Sequence, residues 1–418
     1  MCIRDSPCAR QARLSIAITT KLRNEHRSLF TLTRMKSSRC TEYDAREHPG
    51  NPASELGKEC QINDERPSQA KRYASIAALG AAKGTPSMSL SVTTAWSYRG
   101  LSTVVLENRL LRLVILPEAG AKIWQITYKP FDTDLLWNNP RIVPTRLPGN
   151  SRYDDVWSGG WDELFPNDEV ALIEGESYPD HGELWTGHWS AEPFSHGDEA
   201  GVLLRYITPI SSIEVEKTIR LRRGQARIEF HHRFTNRGRT AFPFLWKLHP
   251  AMAVSPQHRI DFPPMKVVLE PAFPGTLAGA SEPSDWPMIK TPAGNVDLRR
   301  VTPEDARQLY FLYGTQMKGN WCALTNSATG LSCGLQFDSE VFPCCWLFAT
   351  YGGWRNYNVA VLEPCTGYPL NFETMKAAER NRSLAPGKTL QTDVRFLVQE
   401  GLGCVASVDS SGKMSEAA

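Results

Sequence analysis

In the stretch Ile213-Glu214-Val215-Glu216-Lys217-Thr218-Ile219-Arg220-Leu221, apolar and polar residues change places at nearly every step. A strand with one packed face and one wet face carries that pattern; a helix, whose faces repeat every 3.6 residues, does not. Arg227-Ile228-Glu229-Phe230-His231-His232-Arg233-Phe234 repeats it, and Arg222-Arg223-Gly224-Gln225 in between suits a hairpin turn with glycine at positive φ. Short runs bounded by turn residues read as further strands over residues 101–107, 109–116, 123–128, 202–207, 242–248, 265–269, 309–313, 331–337, 345–351, 358–362 and 392–398. Asn108 reads as the turn of the first hairpin. Only residues 373–380 have the pattern for a turn or two of helix. A βαβ rhythm is absent, which excludes a doubly wound sheet, and no blade-length repeat points to a propeller. The expected fold class is all-β, a large antiparallel sandwich.

Charge divides the chain. Residues 1–87 carry +6 and the remaining residues −4, for a formal net charge of +2. A mildly acidic body gives no footing for nucleic acid, and no apolar run is long enough to span a membrane. All 12 tryptophans lie from Trp96 onward, whereas residues 1–87 hold only Phe30, Tyr43 and Tyr73 as aromatics. That stretch cannot bury enough apolar surface to offset chain entropy, so disorder is expected. Two readings stay open for it: an Arg- and Ser-rich presequence, or upstream sequence read in frame ahead of a start at Met88. The expected domain is 88–405, with 406–418 a disordered tail. Ten cysteines show no C-x-x-C pair and no histidine at zinc spacing, which suits free buried thiols and a cytoplasmic location.

Three segments concentrate chemistry. Pro179-Asp180-His181-Gly182-Glu183-Leu184-Trp185 sets a histidine, two carboxylates and an indole around a glycine. Taken alone it is a turn, begun by Pro-Asp and permitted by Gly182. Trp157, Trp161, Trp185 and Trp189 nearby make it a candidate sugar pocket, because sugars stack C–H faces on rings while fixed polar groups hold their hydroxyls. In Leu245-Trp246-Lys247-Leu248-His249-Pro250, His249 closes an expected strand before a proline, which puts it at a sheet edge or mouth. In Val361-Leu362-Glu363-Pro364-Cys365-Thr366-Gly367, Glu363 follows an apolar strand. A carboxylate there needs a partner, such as Arg355, or a function as a base of raised pKa. No nucleophile elbow is present, and no spacing points to a metal.

Together with Gly160-Trp161-Asp162-Glu163-Leu164-Phe165-Pro166, these segments resemble, in order and separation, the aldose 1-epimerase (galactose mutarotase-like) family over roughly residues 95–400. The resemblance implies a β-supersandwich and an isomerase that needs no cofactor. It implies that Glu363 is the general base at the sugar's C1 hydroxyl, that His249 is the acid at the ring oxygen, and that His181 binds near both. Members place an Asn-Arg pair ahead of the first histidine. Here Trp161, Asp162, Glu163 and Asn167 fill that region without an arginine, and with Trp185 they are the expected substrate-binding residues. Asp285 and Asp297 are candidates for a late-loop acid, and Arg152 and Arg355 for a phosphate contact. The expected partner is a small-molecule sugar, with no nucleic acid and no membrane, and the expected state a monomer or homodimer. The alternatives are a carbohydrate-binding protein without catalysis, or a glycoside hydrolase or lyase whose second carboxylate comes from Asp162, Glu163 or Glu183.

Overall fold

The hairpin that the alternation marks out forms between Ile213–Arg222 and Arg227–Asn236, with Ile213 opposite Asn236 and Leu221 opposite Ile228. Ile213, Val215, Ile219 and Leu221 are buried, while Glu216 pairs across the outer face with Arg233 at 2.7 Å. Gly224 supplies φ +68° in the turn, a conformation that costs a β-carbon-bearing residue energy. The computed structural model describes residues 90–281 and 283–416, all within one compact unit. The expectations for residues 1–87 lie outside the described residues.

The hairpin sits in an eight-stranded antiparallel sheet, flanked by Glu199–Ile207 on one side and Thr389–Gln399 on the other. A second sheet has twelve strands. Its middle runs, in spatial order, Lys122–Tyr128, Trp161–Leu164, Lys247–Ala253, Asn358–Cys365, Cys344–Tyr351 and Gln308–Thr315. The sheets pack face to face through large side chains. Trp161 of the second sheet meets Phe230 and Phe396 of the first, at ring-centroid distances of 4.8 Å and 6.0 Å. Trp246 meets Phe234 at 4.4 Å. Interdigitated aromatic rings of this kind make the core between two sheets.

Four sequence expectations need correction. Residues 242–248 are not one strand: Phe242–Phe244 pairs with Arg382–Leu384, and a separate strand runs Lys247–Ala253. His249 is therefore not at a sheet edge but in a central strand, between Trp161–Leu164 and Asn358–Cys365. Likewise Glu363 lies within its strand, which continues to Cys365. The region 406–418 is not a disordered tail through residue 416. Ser407–Val408 pairs with Met414–Ser415, Met414 packs beside Trp321, Leu397 and Val405, and the Gln399 amide bonds the Met414 backbone in both directions at 2.9 and 3.0 Å. One buried methionine and a paired backbone supply what its polar composition concealed. The six described cysteines are free thiols, five of them buried. No helix among the described residues is long and apolar enough to cross a membrane.

Candidate active site

The register of the twelve-stranded sheet builds the site. Asp162 lies opposite His249, and Glu363 lies opposite Trp346. Between those two pairs, Lys247 matches Cys365 and Ala251 matches Val361, so the same register places Glu363 opposite His249. Asp162, His249, Glu363 and Trp346 thus form one row across four strands. The hydrogen-bond ladder is interrupted between the two central pairs, where Pro250 has no N–H to give. Side chains alternate along a strand, so Lys247 shares the His249 face two residues away.

The two central members of the row, His249 and Glu363, line a cavity of about 170 Å³. Trp157, Phe273, Phe311, Phe348 and Trp354 supply an aromatic wall, and Tyr153, Asp154, Asp168, Asp180, His181, Lys247, His249 and Glu363 supply polar groups. His249 Nε2 stands 3.9 Å from Glu363 Oε2. Lys247 Nζ bridges Glu363 at 2.8 Å and Asp168 at 2.5 Å, and lies 4.4 Å from the Trp346 ring centroid. Burial pushes the Glu363 carboxyl above its usual range, against the pull of Lys247. His249 is driven well below the usual imidazole value, by burial first and then by the cations Lys247, His181 and Lys122. Burial opposes a charge on His181 as well, but Asp168 and Asp180 outweigh it and raise its pKa.

His181 is held by an unusual turn. Its φ is +61° and that of Gly182 is +75°. A β-carbon on Gly182 would meet the Phe165 carbonyl oxygen at 2.0 Å, so the close approach of the two loops requires glycine. The backbone N–H of Glu183 donates to that oxygen at 2.6 Å, tying the loop to the end of the strand Trp161–Leu164. Asp180 then fixes the ring: its Oδ1 is 2.8 Å from His181 Nδ1, and its Oδ2 accepts from the Tyr153 backbone at 2.8 Å.

His181, His249 and Glu363 thus meet at one cavity, while the other residues singled out from the sequence divide by strand alternation. Asp162 lies on the cavity side but one step back, paired with Lys122 at 2.5 Å and bonded by the Tyr153 hydroxyl at 2.8 Å. Trp161 and Glu163 point the other way, into the space between the sheets. There Glu163 Oε1 meets Lys217 at 3.1 Å and His232 at 3.0 Å, two residues that face each other across the first hairpin. Asn167 spends its amide on the carbonyls of Glu169 and Pro179. Trp185 stands edge-on to Tyr153 at 4.9 Å and donates to the Asp180 carbonyl. Glu183 is tied to Ser211 and its neighbouring backbone. Asp285 and Asp297 pair with Lys266 and Arg299, Arg152 lies 3.8 Å from Asp155, and Arg355 pairs with Asp155 rather than Glu363; none of these four candidates lines the cavity.

Sequence reasoning missed Lys247, Asp168, Tyr153 and Trp354. Lys247 was within reach, since it sits two residues before His249 on the same strand. The other three sit outside the regular strands, where no periodicity marks them. Among the described residues, no three His, Cys, Asp or Glu side chains cluster as a metal site.

Glu163 carries a testable consequence. Despite full burial, the charges of His232 and Lys217 pull it from the ordinary 4.5 to about 2. A depressed folded value adds stability that is complete above the unfolded pKa and lost as pH falls toward the folded one. Denaturation midpoints of the parent should therefore drop between about pH 4.5 and about pH 2 by more than those of Glu163→Gln, which starts lower at neutral pH. Parallel pH curves for the two would rule this out.

No family profile matches the sequence, and no curated protein matches it. Solved structures do match the fold. The Slr1438 protein from Synechocystis sp. PCC 6803 superposes with a TM-score of 0.55 at 18% identity, over 74% of this chain and 99% of its own. A candidate aldose 1-epimerase from Klebsiella pneumoniae gives 0.57 at 14%, over 74% and 83%. A galactose mutarotase-like protein from Clostridium acetobutylicum gives 0.53 at 10%, over 75% and 99%. The chain has the galactose mutarotase-like fold. At these identities the likeness is one of architecture. Within the galactose mutarotase-like fold, the cavity lies over the middle strands of the larger sheet.

Proposed function

We propose that the protein is an isomerase of the aldose 1-epimerase type, interconverting the anomers of a small sugar by acid–base opening of the ring. The observation that carries this reading is that Glu363 shares one aromatic-walled cavity with two histidines, His249 at 3.9 Å and His181, whose charge acts on its carboxyl. Ring opening needs a base at the C1 hydroxyl and an acid at the ring oxygen. Those two oxygens share one carbon, so the groups serving them must be close neighbours. Glu363 is the base, and a cavity histidine supplies the proton. Each proton transfer of this kind contributes about 10²–10⁴-fold. The cavity is smaller than the roughly 300–1,000 Å³ of pockets for drug-sized ligands, which favours a single sugar ring.

Hydrolysis fits less well. Asp168 shares Lys247 with Glu363, and the ammonium lies between these two carboxylates, where a leaving oxygen would have to sit. Polarimetry of freshly dissolved α-sugars across a panel of aldoses and ketoses tests the proposal. Acceleration over buffer for at least one sugar is expected. Calorimetric sugar binding with no acceleration for any of them would instead support a binding protein without catalysis.

A further inference from the structure

One phenol touches both cavity histidines. The Tyr153 ring lies flat on His181, with centroids 4.2 Å apart and planes 8° from parallel, and edge-on to His249 at 5.4 Å and 84°. Its hydroxyl oxygen is 2.8 Å from Asp162 Oδ2 and 3.1 Å from His249 Nδ1. A phenol has one proton to give. Asp162 is nearer and ion-paired to Lys122, and hydrogen bonds to an ionised acceptor are roughly twice as strong as neutral ones. Tyr153 therefore donates to Asp162, and its oxygen accepts the Nδ1–H of His249. A neutral His249 bound in this way has a bare Nε2, and Nε2 is the nitrogen turned toward Glu363.

His181 has the opposite surroundings. A carboxylate faces each nitrogen: Asp180 at 2.8 Å from Nδ1 and Asp168 at 3.8 Å from Nε2. Only the imidazolium donates from both nitrogens. The Nδ1–H is spent on Asp180, and the longer Nε2 contact leaves that proton available to a substrate oxygen.

We propose that Tyr153 is a positioning residue that splits the two histidines between opposite proton roles, with His181 giving the ring oxygen its proton and His249 entering the cavity as an acceptor. The proposal rests on the anomer reading and exchanges the histidine roles that the sequence resemblance implied. The step balances. Glu363 takes the C1 hydroxyl proton as the C1–O1 bond becomes a carbonyl. The C1–O5 bond breaks with its electron pair going to O5, which takes the Nε2 proton of His181. After rotation about C1–C2 the same transfers run backwards on the other face. His249 Nε2 accepts a hydrogen bond from the sugar throughout.

The charges around each ring agree with this. Facing His181 are Asp168, Asp180, Asp154 and Glu363 against Lys247, and its pKa is raised. Facing His249 are the carboxylates Glu363, 3.9 Å from Nε2, and Asp162 across the strand pair, against the cations Lys247, His181 and Lys122, and burial first and then these cations drive it down. Burial and Asp162 push the Tyr153 phenol well up, so it keeps its proton.

Nitrogen-15 NMR of the imidazoles in the full chain, without sugar at pH 7, is the test, with resonances assigned from His181→Asn and His249→Asn. The expected spectrum shows His181 protonated on both nitrogens and His249 neutral with its proton on Nδ1. A cationic His249, or one carrying its proton on Nε2, overturns the proposal. In Tyr153→Phe the Nδ1–H preference of His249 should vanish and kcat should fall at least tenfold with KM nearly constant. An unchanged tautomer and kcat also overturn it, and if this variant does not fold, the parent spectrum decides alone. The spectra need no activity, so the two readings fail separately. Mutarotation with a cationic His249 sinks only the histidine roles, whereas the expected spectrum with silent polarimetry sinks the anomer reading on which they rest.

Discussion

Glu363→Gln is expected to lower kcat for anomer interconversion by about 10²–10⁴-fold while leaving sugar binding within a few-fold, because the amide fills the same space but accepts no proton. The site makes this substitution informative. Glu363 is 1% exposed and opposite His249 in the row across the sheet, so the amide stays in the cavity. Lys247 keeps Asp168 at 2.5 Å as a counter-charge, so the variant does not strand a buried ammonium. Its loss of rate is then a loss of proton transfer. The parent should also show its own mark in the pH profile. Burial lifts the Glu363 carboxyl, so the acid limb of kcat/KM should sit above the ordinary carboxylate range, and that limb should be gone from the residual rate of Glu363→Gln. Stopped polarimetry on a responsive sugar, with calorimetry for binding, reads both. A variant that turns over at the parental rate would remove Glu363 from the chemistry.

The sequence showed the sheets more plainly than the site, for a physical reason. One packed face and one wet face write themselves into Ile213–Arg222 and Arg227–Asn236, and the fold class follows from many such runs. The middle strands of the larger sheet are covered on both faces, so polar residues there carry no outward signal. Pro250 and Pro364 read as strand ends after His249 and Glu363, yet both strands continue through them. A proline is tolerated in a central strand where its missing N–H costs no ladder bond, and the ladder is open beside Pro250. In Trp161-Asp162-Glu163-Leu164, period-two alternation sends Asp162 to the cavity side and Glu163 to its inter-sheet partners Lys217 and His232. Three consecutive residues, Trp161, Asp162 and Glu163, read as part of one substrate-binding set thus divide between the cavity side and the space between the sheets. Asp168 and Tyr153 come from segments whose spacing in the chain says nothing of where they meet, and only their hydrogen bonds place them.

Lys247→Met should cost about 3–5 kcal/mol of stability near pH 8, the range expected when one member of a buried ion network is removed and its partners remain charged. Lys247 is 2% exposed and bridges Glu363 and Asp168, themselves 1% and 6% exposed. Burial disfavours its charge, but the two carboxylates outweigh that and raise its pKa. Methionine matches the stem but removes the cation between two buried carboxylates, which keep only the more distant His181, 3.8 Å from Asp168. Glu363, already raised by burial, must then rise further, and a carboxyl whose folded pKa exceeds its unfolded one stabilises the fold at low pH and loses that contribution as pH climbs from the unfolded to the folded value. The deficit of the variant should therefore be largest at pH 8 and shrink as pH falls toward the ordinary carboxylate range, the opposite slope to the one Glu163 gives the parent. Adding Asp168→Asn and Glu363→Gln to Lys247→Met removes the stranded charges together, and the triple variant should recover much of the loss, because neighbours in one network do not add independently. Denaturant midpoints at several pH values read all three variants, and a Lys247→Met protein within about 1 kcal/mol of the parent at pH 8 would show the network too well hydrated for this argument. The same network sets the base. Burial pushes Glu363 up and Lys247 holds it down, so the residue that keeps the cavity stable also keeps its carboxylate ready to take a proton.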